Sequence, residues 1–297
     1  MRAVASLIAA LFLLVLAPSA DAQQQQQQQR RGPSLDPRID YEAVMYAQPR
    51  LLDEVMASVL PTEKSEPSTY FVGFAGWAEQ NVFIREVAQA RDIADERLGT
   101  SGRSMLLVNH PTALEEVPLA TVTNLETALR RLGRIMAPQK DTLILFLTSH
   151  GIENLFAVQF PGFPLNHLTP QRLAQALDRS GIENRIVIIS ACHSGSFIPA
   201  LSRPKTLVLT AARADRTSFG CENENDWTFF GNALFNHGLR KTTSFKDAFA
   251  SAKILISQWE AKEKFTPSEP QISMGPDIEP ILERLARPIP SLPVAGD

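Results

Sequence analysis

The chain has 297 residues, 44% of them apolar and 21% charged, with a formal net charge of −3. That is enough for one large or two small domains with a sizeable core, and too apolar for its charge to be disordered throughout. Two cysteines and 15 glycines exclude a disulfide framework and a collagen-like chain. The slight acidity argues against nucleic acid and against an anionic membrane surface, since both call for a basic face.

Met1-Arg2 gives a short positive start, residues 3–17 form one apolar run, and Ala20-Asp21-Ala22 places small residues at −3 and −1 of a cleavage point. This pattern predicts a secretory signal peptide over 1–22. The run is short for a membrane span, which takes about 20 apolar residues, so the mature protein is expected to be exported and to lack a span. Residues 23–38, with Gln23–Gln29 followed by arginines and prolines, read as a flexible leader. Residues 39–69 read as a helical extension, with one or two helices over 39–60. A removable propeptide within 23–60 is compatible with this stretch.

From Tyr70 the chain alternates. Tyr70–Phe74, Ser104–Val108, Thr142–Thr148, Arg185–Ser190 and Thr206–Thr210 are continuous apolar runs of the kind found in strands covered on both faces. Between them lie helical repeats. One carries Phe83, Val87, Ala90, Ala94 and Leu98. Another carries Leu125, Leu129, Leu132 and Ile135 behind a capping box at Thr123–Glu126. A third begins at Thr169-Pro170, with Thr as N-cap and Pro at the first helical position. Further helices are predicted near Thr228–Asn236 and Ser244–Lys264, a short strand near Gln271–Met274, and a Pro-rich tail over 281–297. Strand–helix alternation predicts a largely parallel sheet with helices on both faces and right-handed crossovers.

Sites in open α/β sheets form beyond the carboxyl ends of the strands. Two ends carry chemistry, Ser149-His150-Gly151 and Ala191-Cys192-His193-Ser194-Gly195. A single crossover joins their strands, which are therefore expected to be neighbours about 4.8 Å apart. A thiol needs a base to attack at neutral pH, and imidazole supplies one and can then protonate a leaving amine. The bare N–H of Gly151 and the N–H of Cys192 suit an oxyanion hole. Read from the residues alone, Cys192 is equally a small buried hydrophobe.

These motifs resemble the legumain-type C13 cysteine peptidases of the caspase-like clan, bacterial members in particular. Phe74-Ala75-Gly76-Trp77, Asp215–Cys221 and Thr228-Phe229-Phe230-Gly231 extend the likeness, which runs from about Tyr70 to Met274. The resemblance implies a three-layer α/β/α caspase-like sandwich over 39–280, with a mostly parallel central sheet of about six strands. It implies His150 as general base and acid, Cys192 as nucleophile, Gly151 and Cys192 as the oxyanion hole, and Thr217 and Ser218 as lining of the S1 pocket. Legumains take Asn, and sometimes Asp, in a zwitterionic S1 pocket. Here His193 stands where they carry Glu and Asn232 where they carry Asp, and the basic residue expected after Trp77 is absent. Glu79 is left as the one candidate acid. The expected activity is thus an exported (periplasmic or secreted) endopeptidase whose P1 preference is not strictly Asn. Transpeptidation on the same site and a non-catalytic scaffold are the alternatives. The partner is a peptide or protein substrate, and the chemistry needs no cofactor.

The remaining candidates have plainer readings. His110, His167 and His237 show no metal-ligand spacing, so no metal is expected. Cys221 reads as a packed residue; a bond to Cys192 would block the nucleophile. Ser149 and Ser194 lack a Gly-x-Ser-x-Gly elbow. Trp227, Phe229 and Phe230 either line the groove or cover the sheet.

Overall fold

The structure, a computed structural model, describes residues 35–62 and 66–286. The expected signal peptide, most of the leader and the last part of the tail lie outside the described residues.

The extension folds as one helix, α1 (Tyr41–Ser58), which continues through Pro49. Asp40 caps it by accepting from the Ala43 N–H at 3.0 Å. Strand β1 (Thr69–Ala75) leads to α2 (Asn81–Arg97), β2 (Ser104–Val108), α3 (Val122–Ile135) and β3 (Thr142–Thr148). The cap of α3 is Thr121, whose hydroxyl accepts from the Asn124 N–H at 3.0 Å. The expected box at Thr123–Glu126 lies inside the helix, because Thr121 already has the extended backbone an N-cap needs. A two-stranded hairpin that the sequence does not announce follows, β4 (Gly151–Ile152) with β5 (Leu155–Phe156). Its strands are too short to carry an alternating pattern.

Helix α4 (Pro170–Ser180) starts as expected, with Thr169 accepting from the Arg172 N–H at 3.3 Å, and ends on Gly181 in the left-handed region. Then come β6 (Asn184–Ser190), the short α5 (Ile198–Leu201) and β7 (Thr206–Thr210). The single helix expected over 228–236 is α6 (Phe229–Gly231) running on as a π-helix over Asn232–Leu239. Helix α7 (Phe245–Glu263), β8 (Gln271–Met274) and α8 (Glu279–Leu285) complete the order. Ile281 and Leu282 of α8 are buried, so the packed body continues past residue 280, where the tail was expected to begin.

The strands form one six-stranded sheet in the order β2-β1-β3-β6-β7-β8. All its pairings are parallel except β7 with β8. Strands β1, β3, β6 and β7 are buried at every position, as their unbroken apolar runs require. Successive side chains still take opposite faces. Leu143, Leu145 and Leu147 pack with α1, α3 and α4, while Ile144 and Phe146 pack with α2, α7 and α8. Each such side chain contributes about 1.5–3 kcal/mol by leaving water. The result is the expected three-layer sandwich. Strand order reverses at β1, which has β2 on one side and β3 on the other, and the rim beyond β1, β3 and β6 is the crevice where a site should lie. Among the described residues no helix is long and apolar enough to cross a membrane.

Candidate active site

Strands β3 and β6 pair along their whole length, with Thr148 opposite Ser190. His150 and Cys192 each stand two residues beyond that last pair. The Ser149 N–H donates to the Ser190 carbonyl at 3.1 Å, so the two strands stay joined up to the motifs. Gly151 lies against the Cys192 segment: a Cβ there would sit 2.6 Å from the Cys192 carbonyl oxygen. Only glycine permits that approach.

His150 is half-buried. Its ring meets Trp77 edge-on at 4.9 Å between centroids and Phe83 at 5.2 Å. Its Nε2 is hydrogen-bonded to Gln80 Oε1. With that oxygen accepting, Nε2 holds the proton and the lone pair is on Nδ1. Burial lowers the His150 pKa below its usual 6.5, which favours the neutral ring at pH 7.

Cys192 is half-buried and free. Ser218 directs its N–H at Sγ from 3.3 Å and its hydroxyl from 3.7 Å. His193 has φ of +57°, and this left-handed turn swings the chain from the strand end into a short 3-10 turn over Ser194–Phe197. Its N–H donates to the Arg216 carbonyl at 2.7 Å, and its Nδ1 lies 2.9 Å from the Ala214 carbonyl. The segment after β7 is thereby stitched to the turn that follows Cys192.

Of the residues expected to line the pocket, Ser218 touches the sulfur and Thr217 beside it is exposed. Glu79 is exposed and bound by the Gln159 amide at 3.1 Å. Asn232 turns to Asn236, accepting from its amide at 2.9 Å. Neither side chain's hydrogen bond runs to the His150–Cys192 pair. Trp227 and Phe230 are buried in the core beneath the sheet face, whereas Phe229 is partly exposed beside Phe219 and Phe265. Ser149 donates to the Ala157 carbonyl at 2.7 Å and Ser194 accepts from the Ala212 N–H at 3.2 Å, both structural contacts. Cys221 is free, and burial pushes its thiol pKa far up. His167 accepts from the Val158 N–H at 3.0 Å and His237 packs edge-on to Trp259. His110 caps a short turn. No group of three His, Cys, Asp or Glu side chains among the described residues is placed to hold a metal ion.

Two residues of the site escape sequence reasoning. Gln80 lies in the turn after Trp77, where the family resemblance points only to a basic residue. Glu86 lies on the inward stripe of α2 between Phe83 and Ala90, an acid among apolar positions, and that placement was the available signal.

Comparison with known families matches residues 126–278 to the Peptidase C13 family. The chain belongs to the Peptidase C13 family. Membership places it among cysteine peptidases, and the matched segment contains both motifs. Caspase-1 from Spodoptera frugiperda shares the fold of this C13 member at a TM-score of 0.50, with 12% sequence identity, over 73% of this chain and 94% of that one. A search of curated proteins gives no match.

Proposed function

We propose that this C13 member is an exported cysteine endopeptidase working through a Cys192–His150 dyad. One observation carries the reading: both residues stand two positions beyond the same register pair, Thr148 with Ser190, and the Gly151 backbone abuts that of Cys192.

In this mechanism His150 Nδ1 takes the thiol proton as Sγ attacks the scissile carbonyl carbon. Gln80 holds the ring in the tautomer that leaves Nδ1 basic. The N–H groups of Gly151 and Cys192 receive the oxyanion. His150 passes its proton to the leaving amine, the C–N bond breaks, and a thioester remains. A water then attacks the thioester, giving its proton to His150, and the carboxylic acid leaves as the thiol is restored. Ser218 donates toward the sulfur and supports its negative charge. The positions where legumains carry pocket acids hold His193 and Asn232, and the Glu79 carboxylate is taken up by Gln159. This supports a P1 preference not confined to Asn, because a pocket rejects other side chains strongly where they leave its own polar groups unpaired, and those groups are replaced here. Export rests on the signal-peptide pattern of residues 1–22.

The test is cleavage of a P1 positional-scanning peptide library by the purified protein under reducing conditions, beside Cys192→Ala. Cleavage that disappears in the variant, with more than Asn accepted at P1, is expected. Cleavage that survives in Cys192→Ala would overturn the dyad. Ligated rather than hydrolysed products would reassign the enzyme as a transpeptidase.

A further inference from the structure

Glu86 is fully buried on α2, directly beneath the two motifs. Its Oε2 accepts from the Thr148 hydroxyl. Its Oε1 accepts from the Thr228 hydroxyl at 2.6 Å and from the Thr228 N–H at 3.3 Å. With the Thr228 proton given to Glu86, the Ser190 hydroxyl, 2.9 Å away, is left to donate to Thr228 Oγ1. The Gly231 N–H donates to the same oxygen at 3.0 Å. Helix α6 comes so close that a Cβ on Gly231 would lie 1.7 Å from Glu86 Oε1.

One carboxyl group therefore ties three backbone segments together. Thr148 is two residues before His150, and Ser190 is two residues before Cys192. Thr228 caps the helix that follows the Ser218 segment. Stability alone does not call for an acid here. The position lies on an apolar stripe, and an apolar side chain of similar volume commonly replaces a buried charge at no loss of stability. What such a side chain lacks is the ability to hydrogen-bond Thr148 and Thr228 at once.

We propose that Glu86 is the positioning residue of the site: its carboxyl group, bridging Thr148 to the Thr228–Ser190 pair, fixes the ends of β3 and β6 in the relation that lets His150 and Cys192 react. Glu86 touches no substrate and transfers no proton. The proposal rests on the dyad reading above. It adds that the separation of the dyad is set from below by a side chain outside both motifs.

The experiment compares Glu86→Leu and Glu86→Gln with the wild type in the full chain. It measures kcat and KM on a peptide found by the library screen, the rate of Cys192 alkylation by iodoacetamide, and the thermal midpoint. Gln can accept from Thr228 through its oxygen and donate to Thr148 through its amide, so it should rescue, with kcat within about 3-fold of wild type. Leu cannot, and kcat should fall about 100-fold with KM changed less than about 3-fold, the cost of a displacement near 1 Å. Alkylation of Cys192 should slow in parallel. A merely structural role would lower the thermal midpoint and leave kcat of the folded fraction intact, and that result would overturn the proposal. If Glu86→Leu does not fold, Thr228→Val, which removes one donor from the bridge, is read the same way. Absence of cleavage by the wild type would count against the dyad reading. In that case alkylation decides the present point: equal rates in wild type and Glu86→Leu overturn it, and a slower rate in the variant supports it.

Discussion

Replacing Glu86 by Gln should change how stability depends on pH. The carboxyl is fully buried, and burial, partly offset by hydrogen bonds from Thr148 and Thr228, raises its pKa from 4.5 to about 7. The unfolded chain thus loses this proton near pH 4.5, while the folded protein holds it until about pH 7. Between these values the native state binds more protons, so this group's contribution is full below pH 4.5 and is lost as pH rises through 7. At about 1.4 kcal/mol for each tenfold change in proton affinity, the loss is about 3 kcal/mol. Gln cannot ionise and escapes it. Urea unfolding of both proteins at intervals from pH 4 to 8 should show wild type losing about 3 kcal/mol relative to Glu86→Gln across that range. Taking the difference cancels groups that titrate alike in both proteins. A difference that stays flat with pH would show that the carboxyl ionises as it does in water, and the argument from its burial would fail.

Gln80→Ala should free the His150 ring to take the other tautomer and lower kcat by about 10-fold or more with the fold retained, read from steady-state kinetics and far-UV circular dichroism. The acid limb of kcat/KM should lie below pH 6.5, because burial lowers the His150 pKa and the neutral ring is the active form; a limb above that value would contradict it. Gly151→Ala places a methyl 2.6 Å from the Cys192 carbonyl and should cost about 100-fold or more in kcat through displaced oxyanion donors, with Cys192 still titratable by a thiol reagent in the denatured protein. Gln48→Ala leaves the Leu119 N–H and the Asn124 amide without the oxygen that now accepts from both, and should destabilise the protein by about 1–3 kcal/mol in urea unfolding.

The sheet was legible because its strands are buried on both faces. Runs such as Thr142–Thr148 and Arg185–Ser190 leave no polar alternation to mislead, and a single crossover between them dictated their adjacency. The same adjacency brings His150 and Cys192 to one rim. What surrounds the pair was less readable. Ser218 reaches the sulfur through a loop whose path depends on His193 adopting a left-handed conformation, and no periodic pattern encodes such a turn. Glu79 and Asn232 align by position with pocket residues elsewhere, but side-chain direction is decided by the nearest partner, Gln159 in one case and Asn236 in the other. Glu86 was hidden by its helix. An acid at an inward position looks like noise in a hydrophobic repeat until its three donors are seen.

The amide of Gln48 also bears on how the chain can be processed. Its oxygen holds the segment before α3, and α1 begins against Phe163 through Tyr41. The same small cluster includes Ala78, two residues from the Gln80 that steadies His150. The first helix is thus a buttress for the turn that carries Gln80. A cut that removed it would strip that turn of its support, so trimming compatible with the proposed activity is expected to fall upstream of Asp40.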